Sequence, residues 1–102
     1  MALTQATLTT GYVTQYTSSG ESVVTTIHIC NTSAGAIVFD LCVVPNGGTA
    51  SDSTIAYKTV SVAATDTYII DTEKLVLGNG DFIAAKDDTG SVTVMTISYV
   101  SI

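Results

Sequence analysis

Few residues in this chain could do chemistry. A single histidine, His28, stands two positions from Cys30, and a second cysteine, Cys42, follows further on. On an extended strand such neighbours share a face, so His28 and Cys30 could offer one nitrogen and one sulfur to a metal. Zinc sites draw on four ligands at recognisable spacing, and no third ligand stands near this pair, so His28 reads as a strand histidine. A serine or cysteine nucleophile needs a base beside it. One histidine and no G-x-S-x-G elbow do not supply a hydrolase site. Asp87-Asp88-Thr89-Gly90 has the outline of a calcium-loop fragment, but the alternating oxygen ligands and closing glutamate are missing. Asp-Thr-Gly is ordinary turn chemistry. The nine acidic residues contain no recognisable glycosidase pair. Asn31-Thr32-Ser33 fits the N-glycosylation pattern, and its simpler reading is a polar turn. The expectation is a non-enzymatic chain with no catalytic residue, no metal site and no cofactor.

The composition narrows the possible partners. The 102 residues are one domain's worth, with a formal charge of −6 from nine acids against Lys58, Lys74 and Lys86, and no arginine. A nucleic-acid binder needs a basic patch to neutralise phosphates, so direct contact with nucleic acid or an anionic membrane is not expected. Only 12% of residues are charged, about half the usual share. The polar surface must come instead from 18 threonines, which are β-branched and suit a pleated, half-wet surface. Met1-Ala2-Leu3-Thr4 has neither the basic start nor the long apolar run of a secretory leader. No stretch approaches the ~18 apolar residues of a membrane-spanning helix.

The elements that must position these residues are strands. Period-2 runs at residues 4–8, 12–17, 22–30, 36–44, 55–62, 67–70, 75–77, 81–86 and 92–102 alternate with Gly, Asn, Asp and Ser clusters, a pattern of sandwiches and barrels. The expected fold is all-β, a single antiparallel β-sandwich of eight or nine short strands. The corner Leu77-Gly78-Asn79-Gly80-Asp81-Phe82-Ile83 favours jelly-roll-like over immunoglobulin-like topology. Residues 1–10 form an N-terminal arm or edge strand, and residues 11–102 the sandwich domain. Runs 22–30 and 36–44 can be paired as a hairpin with Ile29 opposite Ile37, Ile27 opposite Phe39, Thr25 opposite Leu41 and Val23 opposite Val43. That register gathers nearly every apolar side chain on one face. It separates Cys30 and Cys42 by ~20 Å, too far for a disulfide, so both thiols are expected free, as in a reducing cytosol.

Three stretches together carry a resemblance: Ile27-His28-Ile29-Cys30-Asn31-Thr32-Ser33, Leu41-Cys42-Val43-Val44-Pro45-Asn46-Gly47-Gly48, and Leu75-Val76-Leu77-Gly78-Asn79-Gly80-Asp81-Phe82-Ile83. With Leu8-Thr9-Thr10 and Thr96-Ile97-Ser98-Tyr99-Val100 at the ends, the chain resembles small virion structural proteins of tailed bacteriophages, including those that infect cyanobacteria. The resemblance implies a virion component made in the host bacterial cytoplasm. It would be a capsid decoration (cement) protein stabilising the major capsid lattice, or else a neck, tail or fibre-associated part. A small carbohydrate-binding module is a further alternative, though Trp is absent and the five tyrosines lie in strands. The implied partners are the major capsid protein or other virion proteins and further copies of the chain, as a dimer or trimer. The residues expected to touch partners are Leu3, Thr4 and Leu8 in the arm, and Asn46, Asp87 and Asp88 in loops.

Overall fold

The structure, a computed structural model, describes residues 2–70 and 75–101. Met1 of the expected arm, Glu73, Lys74 and the expected strand end Ile102 lie outside the described residues. Among the described residues nine strands follow one another: β1 (Ala2–Thr7), β2 (Val13–Thr17), β3 (Ser22–Asn31), β4 (Ile37–Val44), β5 (Ile55–Val62), β6 (Thr67–Ile70), β7 (Leu75–Leu77), β8 (Phe82–Asp87) and β9 (Thr93–Ser101). Their boundaries sit where the turn chemistry changes. Pro45 follows β4 because it has no N–H to give a ladder, and Gly80, at φ +86°, turns the chain between β7 and β8 in a conformation glycine adopts without strain.

The strands form two antiparallel sheets. The first runs β1-β9-β3-β6, with β7 also on β3; the second runs β2-β8-β4-β5. The pairs nest along the chain: β1 with β9, β2 with β8, β3 with β6 and β7, and β4 with β5. Counting β6 and β7 together as the partner of β3, the chain is a long antiparallel ribbon folded at its middle. The ribbon wraps so that β9 also meets β3 and β8 meets β4. This is an eight-stranded jelly roll, and the immunoglobulin-like alternative falls with it.

Between the sheets lies one core. Ile27 and Ile29 of β3, Ile37, Phe39 and Leu41 of β4, Ile83 and Ala85 of β8, and Met95 and Ile97 of β9 fill it, each at most 1% exposed. Phe39 is its largest fully buried side chain, and its ring meets Tyr68 at 5.7 Å. At about 25 cal/mol per Å² of apolar surface removed from water, each such side chain contributes roughly 1.5–3 kcal/mol.

Two expectations are corrected. The β3–β4 hairpin does not exist, since β3 pairs with β9, β6 and β7 and β4 pairs with β8 and β5. The two apolar faces do meet, but across the core. An alternating pattern says which face of a strand is apolar, not whether its partner lies beside it or opposite it. The connection crosses between the sheets because its polar groups find partners at that end of the sandwich. Thr32 N–H donates to Val92 O at 2.8 Å, and Ser33 O accepts from Thr65 N–H at 3.2 Å. The second correction lies within β3. A bulge between Val24 and Thr26 shifts the alternation, so Val24, not Val23, enters the core, and Thr25 does not face Leu41.

The thiols are free, as expected, though not for the expected reason. Cys30 alternates with the core residue Ile29 and points out of the first sheet. Cys42 is fully buried but lies on the outer side of the second sheet, where its S–H donates to Ser51 O at 3.5 Å. The thickness of both sheets separates them, beyond disulfide reach.

Candidate interaction surface

Outward positions of the first sheet follow from the pairing registers. Leu3, Gln5 and Thr7 of β1 lie beside Ser98, Thr96 and Val94 of β9. These continue onto Thr26, His28 and Cys30 of β3, with Val100 beside Val23. Ile69 and Thr67 of β6 and Val76 of β7 complete the face. Among the described residues no Asp, Glu or Lys stands on it. Leu3 is 65% exposed, Ile69 52% and Val76 66%. Valines and threonines fill most of the remaining positions, and the Gln5 amide donates to Thr96 Oγ1 at 2.8 Å across the strands.

The charges lie elsewhere among the described residues. Asp40, Lys58, Lys86 and Asp87 belong to strands of the second sheet, and Glu21, Asp52, Asp66, Asp81 and Asp88 to connections. The outer side of the second sheet is built differently. Lys86 Nζ lies 3.9 Å from an Asp40 oxygen and 4.7 Å over the Tyr12 ring. The other Asp40 oxygen accepts the N–H of Thr59, the positive-φ residue of a bulge in β5. Tyr12 is held above its ordinary value near 10, first by burial and then by a hydrogen bond with the Cys42 side chain. An open depression beside this group, lined by Val38, Asp40, Lys86 and Asp88 among others, has a volume of about 300 Å³.

The expected contact residues do not form one surface. Leu3 is exposed on the outer face near the start of β1. Thr4 pairs with Ile97 on the inward side and is half-buried. Leu8 is corrected outright. It is 0% exposed in the core, and its N–H donates to Thr93 O at 2.8 Å, so it anchors the arm internally and offers a partner nothing. Asp87 is likewise corrected. It is 3% exposed and occupied as a turn cap, accepting from Gly90 N–H and Thr93 Oγ1, both at 2.7 Å. Asp88 is exposed and accepts Val38 N–H at 3.1 Å. Asn46 is exposed at the opposite end of the sandwich, where its N–H donates to Asp81 Oδ1 at 2.9 Å. Asn46 and the Asp87-Asp88 turn therefore cannot meet one partner patch together.

His28 and Cys30 share the outer face, but Thr96 and Ile69 flank the first and Val94 and Thr67 the second. Among the described residues no three His, Cys, Asp or Glu side chains come together to hold a metal. Asn31 of the glycosylation pattern is fully buried, so the folded chain cannot present it. Tyr16, Tyr57 and Tyr99 pack against the core, and Tyr68, 37% exposed, leans its ring on Phe39. The sequence reading missed the uncharged face itself. Its signal was the absence of charge from residues 2–7, 22–30 and 93–101, which becomes a surface only when β1, β3 and β9 lie side by side. No family model, no curated protein and no solved structure matches this chain.

Proposed function

We propose that this protein is a non-enzymatic structural component of a bacteriophage virion, a capsid decoration protein that holds neighbouring subunits of the major capsid lattice. The observation that carries the reading is the outer face formed by β1, β9 and β3, which presents no charged side chain on a chain of net charge −6. Burying charge in an interface is costly unless it is paired; this face can be covered with no such cost. Threonine and valine on a hydrogen-bonded sheet are also stiff, so little side-chain entropy is lost on docking. Four strands at about 4.8 Å and four outward rows at about 6.8 Å make a plane of roughly 500 Å². A standard interface covers about 800 Å² per partner. A surface of this size suits a component held by several modest contacts in a symmetric lattice. The sequence resemblance to small virion proteins points the same way.

The test is quantitative mass spectrometry of purified particles from the phage that encodes the chain. Hundreds of copies per particle are expected. A dozen or fewer would move the protein to a ring at the neck or tail, where copy number follows closed rotational symmetry. Absence from particles would overturn the reading. Thr96→Asp, which places one charge in the middle of the face, should leave the melting temperature within a few degrees and release the protein from particles.

A further inference from the structure

The four sheet edges are not alike. Natural sheets protect their edges from pairing with charges, prolines, bulges or very short strands. Strand β5 carries Lys58 and two register shifts against β4. Strand β2 is five residues long and bulged between Thr14 and Tyr16. A third edge holds β6 and β7, short strands of four and three residues. Strand β1 has none of these devices. It runs six residues in unbroken register along β9, with no charge and no proline, and among the described residues no strand lies on its other side.

The ladder fixes which groups point outward. Leu8 N–H donates to Thr93 O, one step beyond the last register pair, Thr7 and Val94. Alternation along an antiparallel ladder then turns Ala6, Thr4 and Ala2 toward β9. The N–H and C=O of Leu3, Gln5 and Thr7 are left facing the open side.

We infer that this edge pairs with the same edge of a second copy, antiparallel about a two-fold axis at Gln5, and joins the two first sheets into one. The edge matches itself. Gln5 lies opposite Gln5 of the second copy and Leu3 opposite its Thr7, so a leucine packs beside a β-branched side chain on the same face. The three outward residues of each strand exchange about six main-chain hydrogen bonds. No charge on either strand opposes the approach, while net charges of −6 on each copy disfavour most other contacts. The two uncharged faces become one continuous surface. The inference stands apart from the virion reading, since it concerns the isolated chain alone.

Sedimentation equilibrium over a dilution series tests it. The expected result is a species of twice the 10.5 kDa chain mass at high concentration that dissociates on dilution. Added salt should strengthen it, because screening weakens the repulsion between copies. Gln5→Pro removes one outward N–H and blocks the approach with its ring; it takes no main-chain hydrogen bond from β9 and loses only the exposed side-chain bond to Thr96. It should be monomeric throughout at a nearly unchanged melting temperature. A wild-type monomer at every concentration, or a Gln5→Pro dimer, would overturn the inference. If Gln5→Pro disturbs folding, amide exchange on the wild-type chain decides. Leu3, Gln5 and Thr7 should be protected when concentrated and exchange freely when dilute, with Thr4 and Ala6 protected in both. Free exchange of those three at all concentrations would be equally fatal.

Discussion

Asn31 offers the sharpest test of how the two sheets are held together. It is the last residue of β3 and 0% exposed. Its Nδ2 donates to the carbonyls of Gly35 at 2.8 Å, Val62 at 3.2 Å and Ala63 at 3.1 Å. Its Oδ1 accepts from Ser33 N–H at 3.0 Å and from Ser33 Oγ at 2.7 Å. One amide therefore ties the β3–β4 connection to the end of β5, bridging the sheets where the hairpin was expected. Asn31→Ala removes all five bonds. A net hydrogen bond contributes about 1 kcal/mol, and a buried group left unpaired costs more. The Gly35 and Ala63 carbonyls belong to exposed residues and can turn to water, but Val62 is buried. The expected loss is therefore about 3–4 kcal/mol, a large share of the roughly 5–15 kcal/mol that holds a domain folded. The melting temperature should fall by roughly 12–30 °C at this chain length. Urea unfolding followed by circular dichroism, with an unchanged slope, reads the loss directly. Asn31→Asp separates the two halves of the amide. It keeps the acceptor side but sets a carboxylate against three carbonyls, which raises its pKa in the folded state. Stability is then fully present below the unfolded value of about 3.9 and is lost as pH rises through the raised one. Its deficit against wild type should shrink in acid. A loss under about 1 kcal/mol for Asn31→Ala would refute the reasoning and make this an ordinary surface turn.

Four further outcomes are expected. Phe39→Ala should cost about 3–5 kcal/mol by emptying the centre of the core. Lys58→Ala, which breaks only the exposed 3.1 Å pair with Asp52, should cost under about 0.5 kcal/mol in the same unfolding assay. Tyr12 is favoured neutral in the fold, so its contribution is complete below its unfolded value near 10 and declines as pH rises through the higher folded one. Urea midpoints measured from neutral to strongly alkaline pH should therefore fall less steeply for Tyr12→Phe than for wild type, and parallel curves would contradict the assignment. Gln15 is 7% exposed with its Oε1 buried and unpartnered, while its Nε2 donates to Val13 O at 3.0 Å. Gln15→Met exchanges one modest bond for relief of an unmet acceptor, and its melting temperature should equal or exceed that of wild type; a clear drop would mean the oxygen is satisfied.

Much of this fold is written locally. Alternation, β-branched residues and Gly, Asn and Asp turns placed nine strands within a few residues of their observed limits, because those signals act between neighbours in the chain. The Gly78-to-Asp81 corner was read correctly for the same reason. Asp81 closes it by accepting Gly78 N–H at 2.9 Å, a contact that four successive residues can specify by themselves. Even the acidity and the missing arginine bear on partners without any fold.

Pairing was decided elsewhere. Ala2 meets Tyr99 and Gln5 meets Thr96, contacts between opposite ends of the chain that no local pattern encodes. The apolar faces of β3 and β4 are equally well served side by side or across a core. Only the competition of β9 for β3 and β8 for β4 settles that choice. The bulge at Thr25 reversed which of two adjacent valines is buried, since one extra residue moves every later side chain to the other face. Leu8 and Asp87 look like surface residues beside their neighbours in sequence, yet both are buried because the β1–β2 and β8–β9 connections close over the same end of the sandwich. The uncharged face likewise exists only because three charge-free segments, far apart in the chain, are laid edge to edge. Sequence determined which segments extend and which side of each prefers water. The tertiary structure decided what lies next to what, because hydrogen-bonded ladders are indifferent to side-chain identity and their partners are chosen by the whole chain at once.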